Sequence, residues 1–205
     1  VLSGDIDLEK SKVFEAIEKY KTAFELDENK HTLDFSGLNP FLLHKINKFE
    51  AELIDDEFNE NILFTIGMCY YEINRFKESE EYFRKIYQLN PNNSKVLFYM
   101  GDLAIKNEDP KTAKKYLSQL IDLEPQNDRA HHLLGIAFFM EKDIEKAISE
   151  YEKSLNINPS NFHCKNDLNI AFEYQLKCIN DSLKNNPRNM EIHYNLASVF
   201  YKRGE

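Results

Sequence analysis

In the stretch NILFTIGMCYYEI, the residues Ile62, Leu63, Ile66, Tyr70 and Ile73 fall on one stripe with a spacing near 3.6. That is the period of a helix with one buried face. The following stretch, KESEEYFRKIYQL, repeats the arrangement with Tyr82, Phe83, Ile86 and Leu89. The pattern predicts two helices joined by a turn, with a second turn closing the pair.

The pair then recurs. LNPNNSKVLFYMG, LEPQNDRAHHLLG and INPSNFHCKNDLN begin at Leu89, Leu123 and Ile157, an interval of 34 residues. Pro91, Pro125 and Pro159 keep that interval, as do Gly67, Gly101 and Gly135. So do the column Phe49, Phe83, Leu117, Tyr151 and the pair Ala113, Ala147. A fixed period of this length marks stacked supersecondary units, each burying its apolar face against its neighbours. The prolines fall just past each second helix, where a residue that cannot continue a helix is useful. The glycines fall in mid-helix, where glycine costs about 1 kcal/mol against alanine. The cost predicts a close helix–helix approach that a side chain would block. In NEDPKTAKKY, Asp109 is placed to cap the next helix and Pro110 to occupy its first turn.

LLGIAFFMEKDIEKAISEYEKSLNINP, with Leu134, Gly135, Phe138, Ala147, Tyr151 and Pro159, resembles the tetratricopeptide repeat. The resemblance implies an all-α, right-handed solenoid of antiparallel helix pairs. Three units fit without gaps, at 60–93, 94–127 and 128–161. The next is irregular. From 162, Leu168 and Phe172 stand where they should, yet counting back from Pro187 puts Gln175 at the small-residue position of a second helix. Six positions, the inter-helix turn, are absent between Tyr174 and Gln175. Either one long helix runs from about 162 to 185, or a loop of the natural protein is absent from this chain and the backbone reverses there; the missing loop is the expectation, because a fused helix would spoil the surface on which 190–205 would stack. Residues 190–205 read as the first helix of a further unit, with Leu196, Ala197 and Phe200, ending at a turn glycine, Gly204. At the other end, GDIDLEKSKVFEAIEKYKTAFELDEN reads as a second helix with Ala16, Tyr20 and Ala23 in place. Residues 28–59 form a divergent unit whose second half, FLLHKINKFEAELIDDEF, is helical. Both ends fall inside a repeat, which predicts a fragment of a longer array.

Composition narrows the function. The net charge is −9, with Lys and Arg interspersed among acids, so no basic stripe suits nucleic acid. No apolar run reaches the length of a membrane span. VLSGDIDLEK lacks the basic flank and apolar centre of a signal peptide. Three cysteines without a CxxC pair point to an intracellular, reducing setting. There is no P-loop, GxSxG or HExxH. His131 and His132 are sequence neighbours that leave a helix on different sides, a poor metal pair; no enzyme and no cofactor is expected. Cys69 and Cys178 are expected to pack as small apolar residues inside helices.

In the resembled family, the first helix of each unit lines a concave groove with its second, fifth, sixth, ninth, twelfth and thirteenth positions. The resemblance therefore implies a partner-binding set of Phe64, Met68, Tyr71, Phe98, Tyr99, Asp102, Arg129, His132, Leu133, Ile136, Phe139 and Met140. So aromatic and aliphatic a water-facing surface suits an apolar or amphipathic protein segment. The carboxylate clamp of the chaperone-binding sub-family is missing: Phe64 and Met68, then Tyr99, then Arg129 and Leu133 stand in its places. The asparagine ladder of the sugar-transferring repeat enzymes is missing too, with Thr65, Tyr99, Leu133 and Asp167 at its positions and only Asn195 complying. The expectation is a protein–protein interaction scaffold inside a larger hetero-complex. The alternatives are the targeting arm of an enzyme whose catalytic domain lies elsewhere, or a membrane-receptor array. IGMCYYEINRF, NSKVL and NEDPKTAKKYLSQLI are similar to the repeat subunits of intraflagellar transport, which implies a cytoplasmic, cytoskeletal or ciliary setting.

Overall fold

The computed structural model describes residues 11–19, 38–54 and 56–203. Ten helices account for nearly all of them. Helix α1 spans 11–19, and α2 to α5 are Leu38–Glu52, Glu60–Glu72, Phe76–Leu89 and Ser94–Lys106. Helices α6 to α10 are Pro110–Leu123, Asp128–Met140, Ile144–Ile157, Phe162–Asn185 and Met190–Arg203. The fold is an all-α solenoid of antiparallel pairs, as the 34-residue period predicts. Tyr20, Ala23 and Gly204 lie outside the described residues. Helix α2 begins before the expected Phe41, with Pro40 in its first turn where no N–H is missed.

The chain divides into two compact units, Val1–Val96 and Leu97–Glu205. In the first, Val13 and Ile17 of α1, Leu42, Ile46 and Phe49 of α2, and Ile62, Ile66 and Cys69 of α3 form one core. Glu50 ties it together: its Oε1 accepts from the hydroxyls of Tyr70 (3.1 Å) and Tyr82 (2.8 Å). Burial, and then the Glu50 carboxylate, push both phenols above the ordinary tyrosine range. Cys69 is buried and its thiol is pushed up to about 12 by desolvation. Cys178, expected inside, is exposed, because the face of α9 that carries it has no second helix laid over it.

In the second unit, each helix packs on the next from α6 through α10. One cluster joins Ala104, Ala113, Leu117, Leu134 and Ala137. Another joins Ala147, Ile148 and Tyr151 of α8 with Cys164, Ala171, Phe172 and Leu176 of α9 and Val199 of α10.

The glycine column has the cause inferred for it. A Cβ on Gly67 would stand 2.9 Å from the Phe83 ring, and one on Gly101 2.6 Å from Leu117. On Gly135 it would lie 2.5 Å from the Tyr151 ring and 3.2 Å from the Ala147 carbonyl oxygen. Thus the glycine column and the column Phe83, Leu117, Tyr151 are the two sides of one contact. Where the small-residue column carries Ser79, its Oγ donates to the Gly67 carbonyl at 2.8 Å. Asp109 caps α6 by accepting from the Thr112 N–H, with Pro110 in the first turn. A further column, Asn59, Asn93, Asn127 and Asn161, caps α3, α5, α7 and α9, each Oδ1 accepting a backbone N–H at 3.0–3.3 Å. Such caps are worth about 1 kcal/mol each.

Between the helices of a regular unit, one residue turns left-handed: Asn74 (φ 61°), Glu108 (φ 57°) and Lys142 (φ 63°). The next N–H then reaches back over the turn, from Arg75 to Tyr70, Asp109 to Ala104 and Asp143 to Phe138, at 2.8–3.0 Å. A non-glycine residue pays about 1–2 kcal/mol for that conformation. Glycine avoids the cost but loses more entropy on folding. Lys142→Gly is therefore expected to stabilise the chain by about 0.5 kcal/mol, read as a higher denaturant midpoint; an unchanged or lower midpoint would remove the strain argument.

The backbone does not reverse between Tyr174 and Gln175. A single helix runs from Phe162 to Asn185, correcting the expectation of a discontinuity. The reason is local. With six turn positions gone, too few residues stand between the two halves to close a turn, and AFEYQLKCI carries no Gly or Pro to break the helix, so helical hydrogen bonds continue through it. Beyond Asn185, α10 folds back antiparallel along α9, bringing Arg203 to Glu173 at 2.9 Å.

Candidate functional site

The groove positions of the second unit lie on α5, α7 and the first half of α9. Each helix presents them on one face because positions three and four apart stack on a helix. On α5, Phe98 and Tyr99 are half-buried and meet edge to face, with ring centroids 5.4 Å apart. From α7, the exposed Arg129 lays its guanidinium over the Phe98 ring at 4.8 Å. That contact holds a cation without ion pairing and fixes the ring beneath it. Further along α7, His132 Nε2 meets Asp167 Oδ2 of α9 at 2.7 Å, and the ring stands edge-on to Tyr151. Phe139 meets Tyr174 of α9 edge to face at 5.9 Å. Leu133, Ile136 and Met140 are half-buried, the first two against the clusters described above. Asp102 is half-buried, 3.7 Å from Lys106.

The face is therefore stitched across three helices by side chains that remain partly open. Two of its members, Asp167 and Tyr174, are absent from the set expected from sequence. They occupy the sixth and thirteenth positions of the unit at 162, which follows the pattern up to the missing turn. The same column arithmetic extended by one unit finds them.

In the first unit, Phe64 is wedged between Phe14 (6.5 Å) and Phe83 (5.5 Å), and Tyr71 is half-buried against Phe76. Met68 is 5% exposed and belongs to the packed interior. It is removed from the surface set: α3 is buried on nearly every side, so an inward position there is not a wet one.

His131 faces the other way from its neighbour. Its Nδ1 lies 2.7 Å from Glu150 Oε2, and its Nε2 3.2 Å from the Pro125 carbonyl oxygen. Lys153 donates to the other Glu150 oxygen at 2.6 Å. This buried network pins α7 to α8 and has no open side for a ligand. A hydrogen bond to a charged partner is worth about 1.5–3 kcal/mol. Glu150→Gln is expected to cost about 1.5 kcal/mol, read by denaturant unfolding, and should leave partner binding unchanged. Among the described residues, no group of three or more His, Cys, Asp or Glu side chains could hold a metal ion. No described helix is long and apolar enough to cross a membrane.

The tetratricopeptide repeat family profile matches residues 70–137 and 104–166. No curated relative matches the sequence. Among solved structures, a MamA protein superposes with a TM-score of 0.63 at 19% identity, covering 91% of this chain and 93% of its own. MamA 41-end from Desulfovibrio magneticus RS-1 gives a TM-score of 0.60 at 16% identity, over 83% of this chain and 94% of its own. The first repeat domain of Spaghetti (RPAP3), bound to the HSP90 peptide SRMEEVD, gives 0.54 at 20% identity over 56% of this chain and 91% of its own. The family profile and the 34-residue repeat make this chain a tetratricopeptide-repeat protein, and the solved neighbours share its all-α solenoid fold.

Proposed function

We propose that the aromatic face of α5, α7 and α9 binds an apolar or amphipathic segment of a partner protein, and that the chain serves as an interaction scaffold in a larger hetero-assembly. The observation that carries the reading is the row Phe98, Tyr99, His132, Phe139 and Tyr174. Five aromatic rings are left partly open rather than packed away, and contacts between helices hold them in position. Held rings lose little freedom on binding, which is what makes an anchor productive. The RPAP3 domain, of the same fold, is bound to an HSP90 peptide. Here the occupant differs in chemistry. Hydrophobic or acidic residues stand at most of the clamp positions, so a free C-terminal carboxylate is not what this face selects. The setting we favour is intracellular, since Cys69, Cys164 and Cys178 are all free thiols. The sequence likeness to intraflagellar transport subunits favours a ciliary or cytoskeletal assembly.

Peptide display against the folded chain tests the reading. Selected segments are expected to carry apolar residues at helical spacing and to bind equally well with an amidated C-terminus. Binding that requires a free C-terminal carboxylate would overturn the proposed specificity. So would a selection yielding only acidic segments without an apolar stripe.

A further inference from the structure

Because α9 does not reverse at Tyr174, its second half runs on past the turn that joins α7 to α8. Helices α8 and α10 both pack on α9, and a cleft of about 790 Å³ stays open among the three. Ligand pockets are commonly about 300–1,000 Å³, so there is room for several side chains. Tyr174 belongs to the cleft and to the aromatic face at once. Its ring meets Phe139 and also lines the cleft. The aromatic face therefore continues beyond Tyr174 into the cleft.

Two kinds of side chain line the cleft. Ile148 and Val199 are buried, and Ile144, Ile179 and Ile192 are half-buried beside them. The aliphatic surface still open there gains by being covered. Gln175 of α9 and Asn195 of α10 stand among these groups. Neither amide has a hydrogen-bond partner among the described residues. Each offers a donor and an acceptor together, the same combination that a peptide group presents. A helix cannot use them, since its own backbone groups are already bonded along its axis. An extended chain can, because its N–H and C=O groups stay unpaired until something meets them. It also turns alternate side chains to opposite sides, so that every second residue can enter among the isoleucines. The end of α10 borders the cleft at Lys202, which leaves room for a few extended residues rather than for a long helix.

We infer that the cleft holds an extended tail of the partner segment, which rests on the proposed binding of that segment at the aromatic face. The tail leaves the face past Tyr174 and sets alternate aliphatic side chains among Ile144, Ile179 and Ile192. Gln175 and Asn195 hydrogen-bond its backbone. The partner is thus an apolar stripe at helical spacing, continued on one side only by residues that alternate apolar and polar.

Lengthening a displayed segment tests it. A segment selected on the folded chain is extended at either end by about six randomised residues, which reach about 20 Å, and selected again. Aliphatic residues at every second position are expected to be enriched at one end only, with a gain in affinity of about tenfold. Gln175→Ala and Asn195→Ala should each remove much of that gain and leave the affinity of the unextended segment unchanged. Cys178 reports occupancy: it lines the cleft and is exposed, whereas Cys69 and Cys164 are buried. Its alkylation by iodoacetamide should slow in proportion to the extended segment bound and stay unchanged with the unextended one. The inference is overturned by no gain from either extension, by enrichment at helical spacing, by a gain kept in both alanine variants, or by a bound extended segment that leaves Cys178 unprotected. Tyr99→Ala separates the two levels, since it should weaken both segments alike. If it weakens neither, the aromatic face fails and the tail with it. If it weakens both while extension adds nothing, only the tail fails.

Discussion

Gly135→Leu should unfold at a markedly lower denaturant concentration than the parent, with a net loss of about 2 kcal/mol. Two effects oppose each other. Leucine is the better helix former by up to about 0.8 kcal/mol. Against this, forcing extra carbons into a packed core costs about 1–3 kcal/mol and sometimes more. The site puts the cost at the upper end. The first added carbon already lies 2.5 Å from the Tyr151 ring, which is 2% exposed and has nowhere to swing. The Ala147 carbonyl, at 3.2 Å, is backbone and yields only if α8 moves. Because each repeat leans on its neighbours, the loosening should spread. Amide exchange is expected to quicken in α6 and α9 as well as in α7 and α8. The contact is also testable as a pair. Tyr151→Ala should cost less in the Gly135→Leu background than in the parent, since the two changes share one volume. Equal midpoints for Gly135→Leu and parent would dismiss the close approach as the reason for the glycine column.

The second large effect falls on binding. Tyr99→Ala and Phe139→Ala are each expected to weaken a displayed apolar segment by about 2 kcal/mol, roughly thirtyfold. Interface energy gathers in a few aromatic anchors already held in place. Tyr99 is held by Phe98, and Phe139 by Tyr174. Arg129→Ala should act differently. The guanidinium is exposed at the rim, so its loss should change association rate and salt dependence. It also frees the Phe98 ring that it covers, which adds a smaller loss of affinity. Helix content must match the parent for each variant. Calorimetric titration showing unchanged affinity in both alanine variants would move the binding surface away from these helices.

The repeat was legible because its constraints are local and periodic. A mid-helix glycine, a closing proline and a large apolar residue 16 positions after the glycine each answer a steric demand that recurs in the units at 60, 94 and 128. What periodicity does not report is which demand governs when two compete. At Tyr174 and Gln175, stacking considerations favoured a reversal, but a reversal needs the six positions that hold the turn in the regular units. They are absent there, and local helix formation prevails. The asparagine caps kept the same interval, yet a cap is recognised by its bond to an N–H three residues on, and asparagine alone does not announce it. Column positions likewise say which way a side chain points, not what lies opposite. Met68 points inward into packed protein, whereas Phe139 points inward to a partly open ring contact. His132 read as a groove aromatic, but its ring nitrogen is taken up by Asp167, a residue one unit further along, at 2.7 Å.

The claim that the face formed by α5, α7 and α9 is where a partner lies is tested most directly by contact. A photo-crosslinking phenylalanine derivative can be placed singly at Tyr99, at Phe139, or at Ser149, which is exposed on α8. Each protein is then illuminated with a displayed segment bound. Adducts from positions 99 and 139, with none from 149, are the predicted result. An adduct from position 149, with positions 99 and 139 silent in folded protein, would contradict the account.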